Sequence, residues 1–376
     1  MNSVLNDRAN PQRWSLTKAL RKIHIDAVLL LGLLTLLGAG LVILYSAGDQ
    51  SQALMIRQLT RMAAAFFVML LISNIHPDRM RDSSYWLYGA GLILLVGVLA
   101  FGHEGKGAQR WLDLGFFRFQ PSELMKLAVP LLVATYLAER PLAPTVFRLI
   151  VGLIMIVLPS LLIAKQPDLG TSLLIASSGL IVIFLSGISW RIIIGFATVC
   201  TAALPVLWYV MHDYQKQRVL TFLNPESDPL GSGYHIIQSK IAIGSGGVFG
   251  RGWLEGTQSQ LAFLPERSTD FIFAVIAEEF GLLGVGMLLL LYLFIAARGL
   301  YIASQAQTSF ARLLAGSISM TFLVYVFVNV GMVTGLLPVV GVPLPLVSYG
   351  GTSMVTLLAG FGILMSIHTH RRMMSP

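Results

Sequence analysis

Between residues 313 and 367 this chain carries no charged side chain. A stretch of that length is too long for one membrane crossing and too apolar for a solvated surface. The Gly/Pro-rich break at 335–351 divides it, so the pattern predicts two membrane helices, one on either side. Elsewhere the pattern is similar. Hydrophobic residues make up 55% of the 376 and charged residues 12%, against about 25% charged in a soluble domain. The fold class expected is an all-α polytopic membrane protein with ten transmembrane helices.

The first span is 27–46, long enough for a hydrocarbon core of roughly 30 Å. The second, 62–75, is short and needs Arg57 and Arg61 to snorkel at its start. The others are 83–102, 124–138, 146–164, a sixth from the Lys165–Thr171 turn to 187, 192–211, 271–297, and the two in the uncharged run. This gives a basic segment at 1–26, a transmembrane domain at 27–370 and a tail at 371–376. The large loop, 212–270, lies between helices 7 and 8. The first apolar run exceeds a signal-peptide h-region, so an uncleaved span is expected.

Ten spans put both termini on one side. That side receives 14 of the 26 Lys and Arg residues and the other side 12. Arg8, Arg13, Lys18, Arg21 and Lys22 precede the first span, which usually dominates, so both termini are expected in the cytoplasm. The 212–270 loop, the 103–123 loop, residues 165–168 and residues 338–351 then face outward. Twelve outward positive charges run against the usual bias, and an anionic substrate is the simplest explanation. The net charge of +8 sits largely beside spans, where it meets lipid headgroups rather than nucleic acid. The single cysteine, Cys200, excludes an intrachain disulfide and reads as a core thiol. The seven histidines show no metal-ligand spacing. The Gly244–Gly252 run reads as tight turns at a membrane surface, not a nucleotide site.

The polar stretch 214–281 holds the strongest candidates. Asp270 directly precedes an apolar run. It could cap that helix, and a half-desolvated carboxylate there could also serve as a general base. Glu278 and Glu279 lie about 12 Å deeper at 1.5 Å per residue, where a partner or polar cavity is needed. An ion pair docking helices fits Glu279, while Glu278 stays open. Glu123 and Lys126 share a helix face at i, i+3. A local pair and a phosphate-facing Lys126 fit equally well. Asp168 reads as a cap of the sixth span, with Lys165 beside it. Residues 235–244 fit an amphipathic helix in the outer interface or a segment packed over other spans.

Together, Arg110-Trp-Leu, Gln120-Pro-Ser-Glu-Leu-Met-Lys126, Lys165-Gln-Pro-Asp-Leu-Gly-Thr171, Leu264-Pro-Glu-Arg-Ser-Thr-Asp-Phe-Ile-Phe, Ala277-Glu-Glu-Phe-Gly and Pro343-Leu-Pro-Leu-Val-Ser-Tyr-Gly-Gly-Thr352 resemble the SEDS family, in order, over nearly the whole chain. The 329–343 run resembles the elongation branch rather than the division branch. Many relatives carry His where this chain has Ser268. The resemblance implies a peptidoglycan glycosyltransferase that polymerises lipid II on the outer leaflet of the bacterial inner membrane, in cell elongation and rod-shape maintenance. It also implies a class B penicillin-binding protein as partner, and activity dependent on Asp270.

That chemistry needs a base for the acceptor hydroxyl, cations for the departing diphosphate, and an apolar groove for the lipids. Asp270 is the expected base. Arg110, Lys126, Lys165, Arg218 and Arg267 are the expected cations, with Glu123 and Asp168 among the substrate-binding residues. A divalent ion such as Mg²⁺ could assist. A lone base suits single displacement with inversion. A lipid II flippase, or a scaffold recruiting the transpeptidase, are the competing readings; a flippase predicts broken helices and charge near the midplane.

Overall fold

The computed structural model describes residues 24–105, 108–113, 118–139, 144–211, 213–228, 231–261, 263–264 and 266–370. Arg8, Arg13, Lys18, Arg21, Lys22 and the 371–376 tail lie outside them, as does the Cys200 side chain. Three helices come first: α1 (Ala27–Ala47), α2 (Gln52–Ser73) and α3 (Pro77–Phe101). Strands β1 (His103–Gly105), β2 (Ala108–Asp113) and β3 (Arg118–Phe119) form an antiparallel sheet in the order β1-β2-β3. Helices α4 (Pro121–Ala138), α5 (Val146–Ala164), α6 (Leu169–Leu185) and α7 (Trp190–Val210) follow. Next come α8 (Asp213–Leu223), α9 (Ser232–Gly246) and the short α10 (Thr257–Gln260). The chain closes with α11 (Ile272–Ser304), α12 (Ser309–Val333) and α13 (Thr352–Thr369).

Seven of these helices are long and apolar enough to cross a membrane: α1, α2, α3, α5, α11, α12 and α13. The apolar α6 and α7 are shorter by that measure. Helix α4 falls outside both groups because Glu123, Lys126 and Pro130 dilute its apolar content. It is nonetheless buried on nearly every face, from Pro121 to Leu137. A helix buried all round belongs to the middle of a bundle. Helix α2 begins ten residues before the expected second span: Ser51 caps it at the Leu54 N–H, 3.4 Å away. Its first turns carry Arg57 and Arg61, which hid the helix from a hydropathy reading. The three-stranded sheet stands where a loop was expected.

The expected eighth span is two helices. At Gly281 (φ 63°, ψ −163°) α11 breaks into 272–280 and 282–304. The glycine run wraps this break. Arg251 and Gly252 N–H groups donate to the Glu278 and Glu279 carbonyls, both at 3.0 Å. In return the Leu282 and Leu283 N–H groups donate to the Gly247 and Val248 carbonyls at 3.0 and 3.1 Å. Groups that a helix end leaves without partners are thus satisfied in both directions. The approach is too close for side chains: a Cβ on Gly246 would stand 1.9 Å from the Ala277 carbonyl oxygen.

Glu278 and Glu279 therefore stand at the end of the first half-helix, beside the break. The Glu278 carboxylate accepts from the Gln258 N–H at 2.8 Å and the Thr257 hydroxyl at 3.2 Å. Glu279 accepts from the Ser46 hydroxyl of α1. It docks two helices as expected, but through a hydroxyl and not an ion pair. Helix α9 buries Gly233, Ile236, Ser239, Ala242 and Gly246, so of the two readings it is the segment packed over other helices.

Candidate active site

The residues Ser268, Thr269 and Asp270 enter the buried half-helix 272–280 from a tight turn. Thr269 and Phe271 N–H groups both donate to the Glu266 carbonyl, at 3.0 and 3.3 Å. That turn moves the helix start past Asp270: Phe271 is the cap residue, and no side chain caps it. The capping role open to Asp270 is not taken.

Three consecutive carbonyls of this turn are held by one neighbouring surface. The Tyr349 N–H donates to the Ser268 carbonyl at 2.8 Å, and the Ser348 hydroxyl to the Thr269 carbonyl at 2.6 Å. The Asn329 amide donates to the Asp270 carbonyl at 2.9 Å and to the Val342 carbonyl at 2.7 Å. Ser348 also accepts from the Leu344 N–H at 2.8 Å, and the Tyr292 hydroxyl donates to the Pro345 carbonyl at 2.6 Å. Gly341 has φ +70°, and a Cβ there would lie 3.4 Å from Asp270 Oδ2. The 338–351 segment is thus the wall against which the half-buried Asp270 stands.

Two polar clusters gather at the N-terminus of α4. Lys126 Nζ donates to Glu123 Oε1 at 2.8 Å and lies 5.4 Å from the Tyr325 ring centre. Both side chains are about a tenth exposed, so this expected pair is buried. Glu123 Oε2 is buried without a hydrogen-bond partner among the described residues. A cavity of about 40 Å³ below Lys126 is lined by Ser178, Thr321, Tyr325 and Thr356. In the second cluster, Asp168 caps α6 at the Thr171 N–H, 3.3 Å away, as expected. Its ion-pair partner is Arg110 on β2, whose Nε is 3.6 Å from Oδ2, while Lys165 is exposed. Arg110 also donates to the Pro167 carbonyl at 2.7 Å, and Gln120 reaches Asp168 at 3.5 Å. The sheet thereby pins β2 to the α5–α6 turn.

Arg267 pairs with Asp49 beyond the end of α1. Arg218 is half-buried on α8. Arg61 does not merely snorkel: its guanidinium lies 4.6 Å from the Tyr349 ring centre. That brings a cation beside the clamp on the Asp270 turn. His235 of α9 stacks on Phe271, with ring centres 5.5 Å apart. Burial lowers its imidazole below the ordinary histidine range, against the opposing charges of Glu266 and Asp228.

Asn329, Ser348, Tyr349, Gly341 and Arg61 gave no site signal in the sequence. They are uncharged, or they resembled membrane-boundary residues. Ser348 and Tyr349 stand in the 343–352 motif of the family resemblance, and Asn329 and Gly341 in the 329–343 run, without being marked there as site residues. Among the described residues no three His, Cys, Asp or Glu side chains could hold a metal ion. An apolar groove of about 350 Å³ runs between α5, α6 and α7, lined by Leu149, Ile183, Phe184 and Ile192 among others. It opens at the end of α6 away from Asp168, so it is not a lipid groove adjoining this site.

A family model described as cell cycle protein and covering FtsW, RodA and SpoVE matches residues 18–373. The chain is 57% identical over 356 residues to peptidoglycan glycosyltransferase MrdB of Escherichia coli K12, covering 94% of this chain and 96% of that one. It is 32% identical over 425 residues to peptidoglycan glycosyltransferase RodA of Treponema pallidum, covering 92% and 98%. Among solved structures, one from a peptidoglycan synthase complex that coordinates polymerization and crosslinking superposes with TM-score 0.81 at 35% identity, covering 93% and 98%. Thermus thermophilus rod shape determining protein RodA superposes with TM-score 0.71 at 30% identity, covering 92% and 97%. With the family model spanning almost its full length, the chain belongs to the FtsW/RodA/SpoVE family.

Proposed function

We propose that this multi-pass membrane protein polymerises lipid II into glycan strands, with Asp270 as general base. The activity class, peptidoglycan glycosyltransferase, is that of its relatives at 57% and 32% identity. The observation that carries the assignment to Asp270 is the three-carbonyl clamp, which fixes the backbone on which the carboxylate is mounted. In the step itself, the Asp270 carboxylate takes the proton of the acceptor hydroxyl. The freed oxygen attacks the anomeric carbon of the donor sugar. The bond to the diphosphate breaks, and its electron pair leaves on the diphosphate. Lys126 and Arg110 lie in the two clusters, Arg267 precedes the Asp270 turn and Arg61 lies beside its clamp, and developing charge on the leaving group is where such cations act most strongly. Single displacement predicts inversion at that carbon.

The ten-span arrangement, with termini in the cytoplasm and Asp270 facing outward from the inner membrane, belongs to the same reading. So does a class B penicillin-binding protein as crosslinking partner, supported by the likeness to a synthase complex. A flippase gains one observation, the broken helix at Gly281. However, the carboxylates beside the break hold Thr257, Gln258 and Ser46, and its backbone groups are closed by the glycine run. That is the pattern of a structural joint.

The test is purified protein with lipid II in detergent, read as glycan length. Wild-type protein gives polymer, and Asp270→Asn gives none while keeping wild-type thermal stability. Robust polymer from Asp270→Asn, in preparations free of other synthases, would sink the base assignment. Lipid II translocation without polymer would favour the flippase.

A further inference from the structure

The geometry points to Asn329, aided by Ser348, as a positioning residue for the Asp270 carboxylate, an inference that rests on the base reading above. Asn329 is fully buried in α12, in the middle of the uncharged run. A neutral amide at such a place has a desolvation cost and needs partners. Its nitrogen finds two, and both are main-chain carbonyls from segments far apart in sequence: Asp270 at 2.9 Å and Val342 at 2.7 Å. These two donations fix its amide orientation, with nitrogen toward the carbonyls.

The Asp270 carbonyl is not used by the helix that follows, whose first bond runs from the Ala274 N–H to the Phe271 carbonyl. Without Asn329 the 270–271 peptide would lose its tie to α12, and the Asp270 Cα, with the carboxylate it carries, would be free to shift against the 338–351 wall. Val342 directly follows Gly341, where an added Cβ would lie 3.4 Å from Asp270 Oδ2. One amide therefore sets the distance between the carboxylate and its wall. Ser348 repeats the arrangement one residue earlier, bridging the Thr269 carbonyl and the Leu344 N–H. A base misplaced by about 1 Å can cost about a hundredfold in rate. Asn329 would act on turnover through Asp270, without touching substrate.

The experiment compares wild type, Asp270→Asn, Asn329→Ala and Ser348→Ala, each purified in detergent. Lipid II polymerisation is resolved into kcat and KM, and kcat is expressed per folded molecule from a thermal unfolding signal. Asn329→Ala is expected to lose at least about tenfold in kcat per folded molecule, with KM within about twofold. Ser348→Ala should lose less, in the same direction. If Asn329→Ala cannot be recovered folded, Ser348→Ala decides. Unchanged kcat per folded molecule overturns the inference, whether KM rises or only the folded fraction falls. Active Asp270→Asn protein refutes the base reading instead, so the two failures are distinguishable.

Discussion

Tyr325 and Asn329 stand four residues apart on one face of α12, and each holds a different part of the site. Tyr325 lies under the Lys126 ammonium, 5.4 Å from its ring centre, while Asn329 holds the Asp270 carbonyl. Four residues of helix rise about 6 Å. The buried ion pair and the carboxylate turn are therefore set against each other by one turn of a helix that carries no charge there.

The Glu123–Lys126 pair gives the first prediction. Removing one member of a buried pair costs about 3–5 kcal/mol, whereas apolar replacement of both is often neutral. Lys126→Ala should thus destabilise, and Glu123→Leu with Lys126→Met should not. If Lys126 meets the diphosphate, the stable double variant still loses polymerisation. Glycan length together with thermal unfolding reads both effects, and an active double variant would leave the pair purely structural.

Gly281 and Gly244 give a contrasting pair. At Gly281 the backbone is in a region open almost only to glycine, and a Cβ would stand 2.3 Å from the Gly250 nitrogen. Strain of this kind alone costs about 1–3 kcal/mol. Gly281→Ala should lower the unfolding temperature markedly. Gly244 is helical, exposed, and has nothing within 4 Å of an added Cβ. Gly244→Ala should raise stability, by about 0.5–1 kcal/mol. Equal responses would argue against the wrapped break.

A pH response is expected at the other end of the bundle. The His24 and His370 rings stack at 4.1 Å, and His76 meets His370 edge-on at 5.0 Å. Burial lowers the His370 imidazole; a hydrogen bond to the Ser366 carbonyl opposes this, and the His24 and His76 rings lower it further. A lowered folded-state value means the unfolded chain binds the proton more readily. Stability from His370 is therefore fully present above about pH 6.5 and is lost as pH falls below that. Asp78, 3.4 Å from His76, and Asp26, 3.1 Å from His368, are the nearby carboxylates. Unfolding temperature between pH 7.5 and 5.5 should fall less for His370→Gln than for wild type.

Topology is directly measurable. A reporter fused after Pro376 should report cytoplasm, and one inserted near Asp228 the outer side. The same side for both would break the ten-span arrangement.

Much of this architecture was legible because membrane burial writes itself into long uncharged runs. The Glu123–Lys126 pair and the Asp168 cap were legible because both act within one helical turn. The clamp was not, because Asn329, Ser348 and Tyr349 act across 59, 79 and 81 residues of chain onto main-chain atoms, which leave no side-chain signature at the receiving end. The start of α2 was hidden by Arg57 and Arg61, the second of which is turned onto Tyr349. The break in α11 was hidden because Gly281 borders the long apolar run 282–297, where one glycine at the edge has little effect on hydropathy.

That break divides labour along a single helix. Residues 282–304 are the anchor; residues 272–280 carry the Asp270 turn and are bonded through the glycine run to α9. The glycine run that follows α9 holds both halves, bonding Glu278 and Glu279 before the break and Leu282 and Leu283 after it. The Asp270 turn, α9 and the anchor are thus seated on one another through main-chain bonds, so the position of the turn is set by backbone and not by side-chain packing alone.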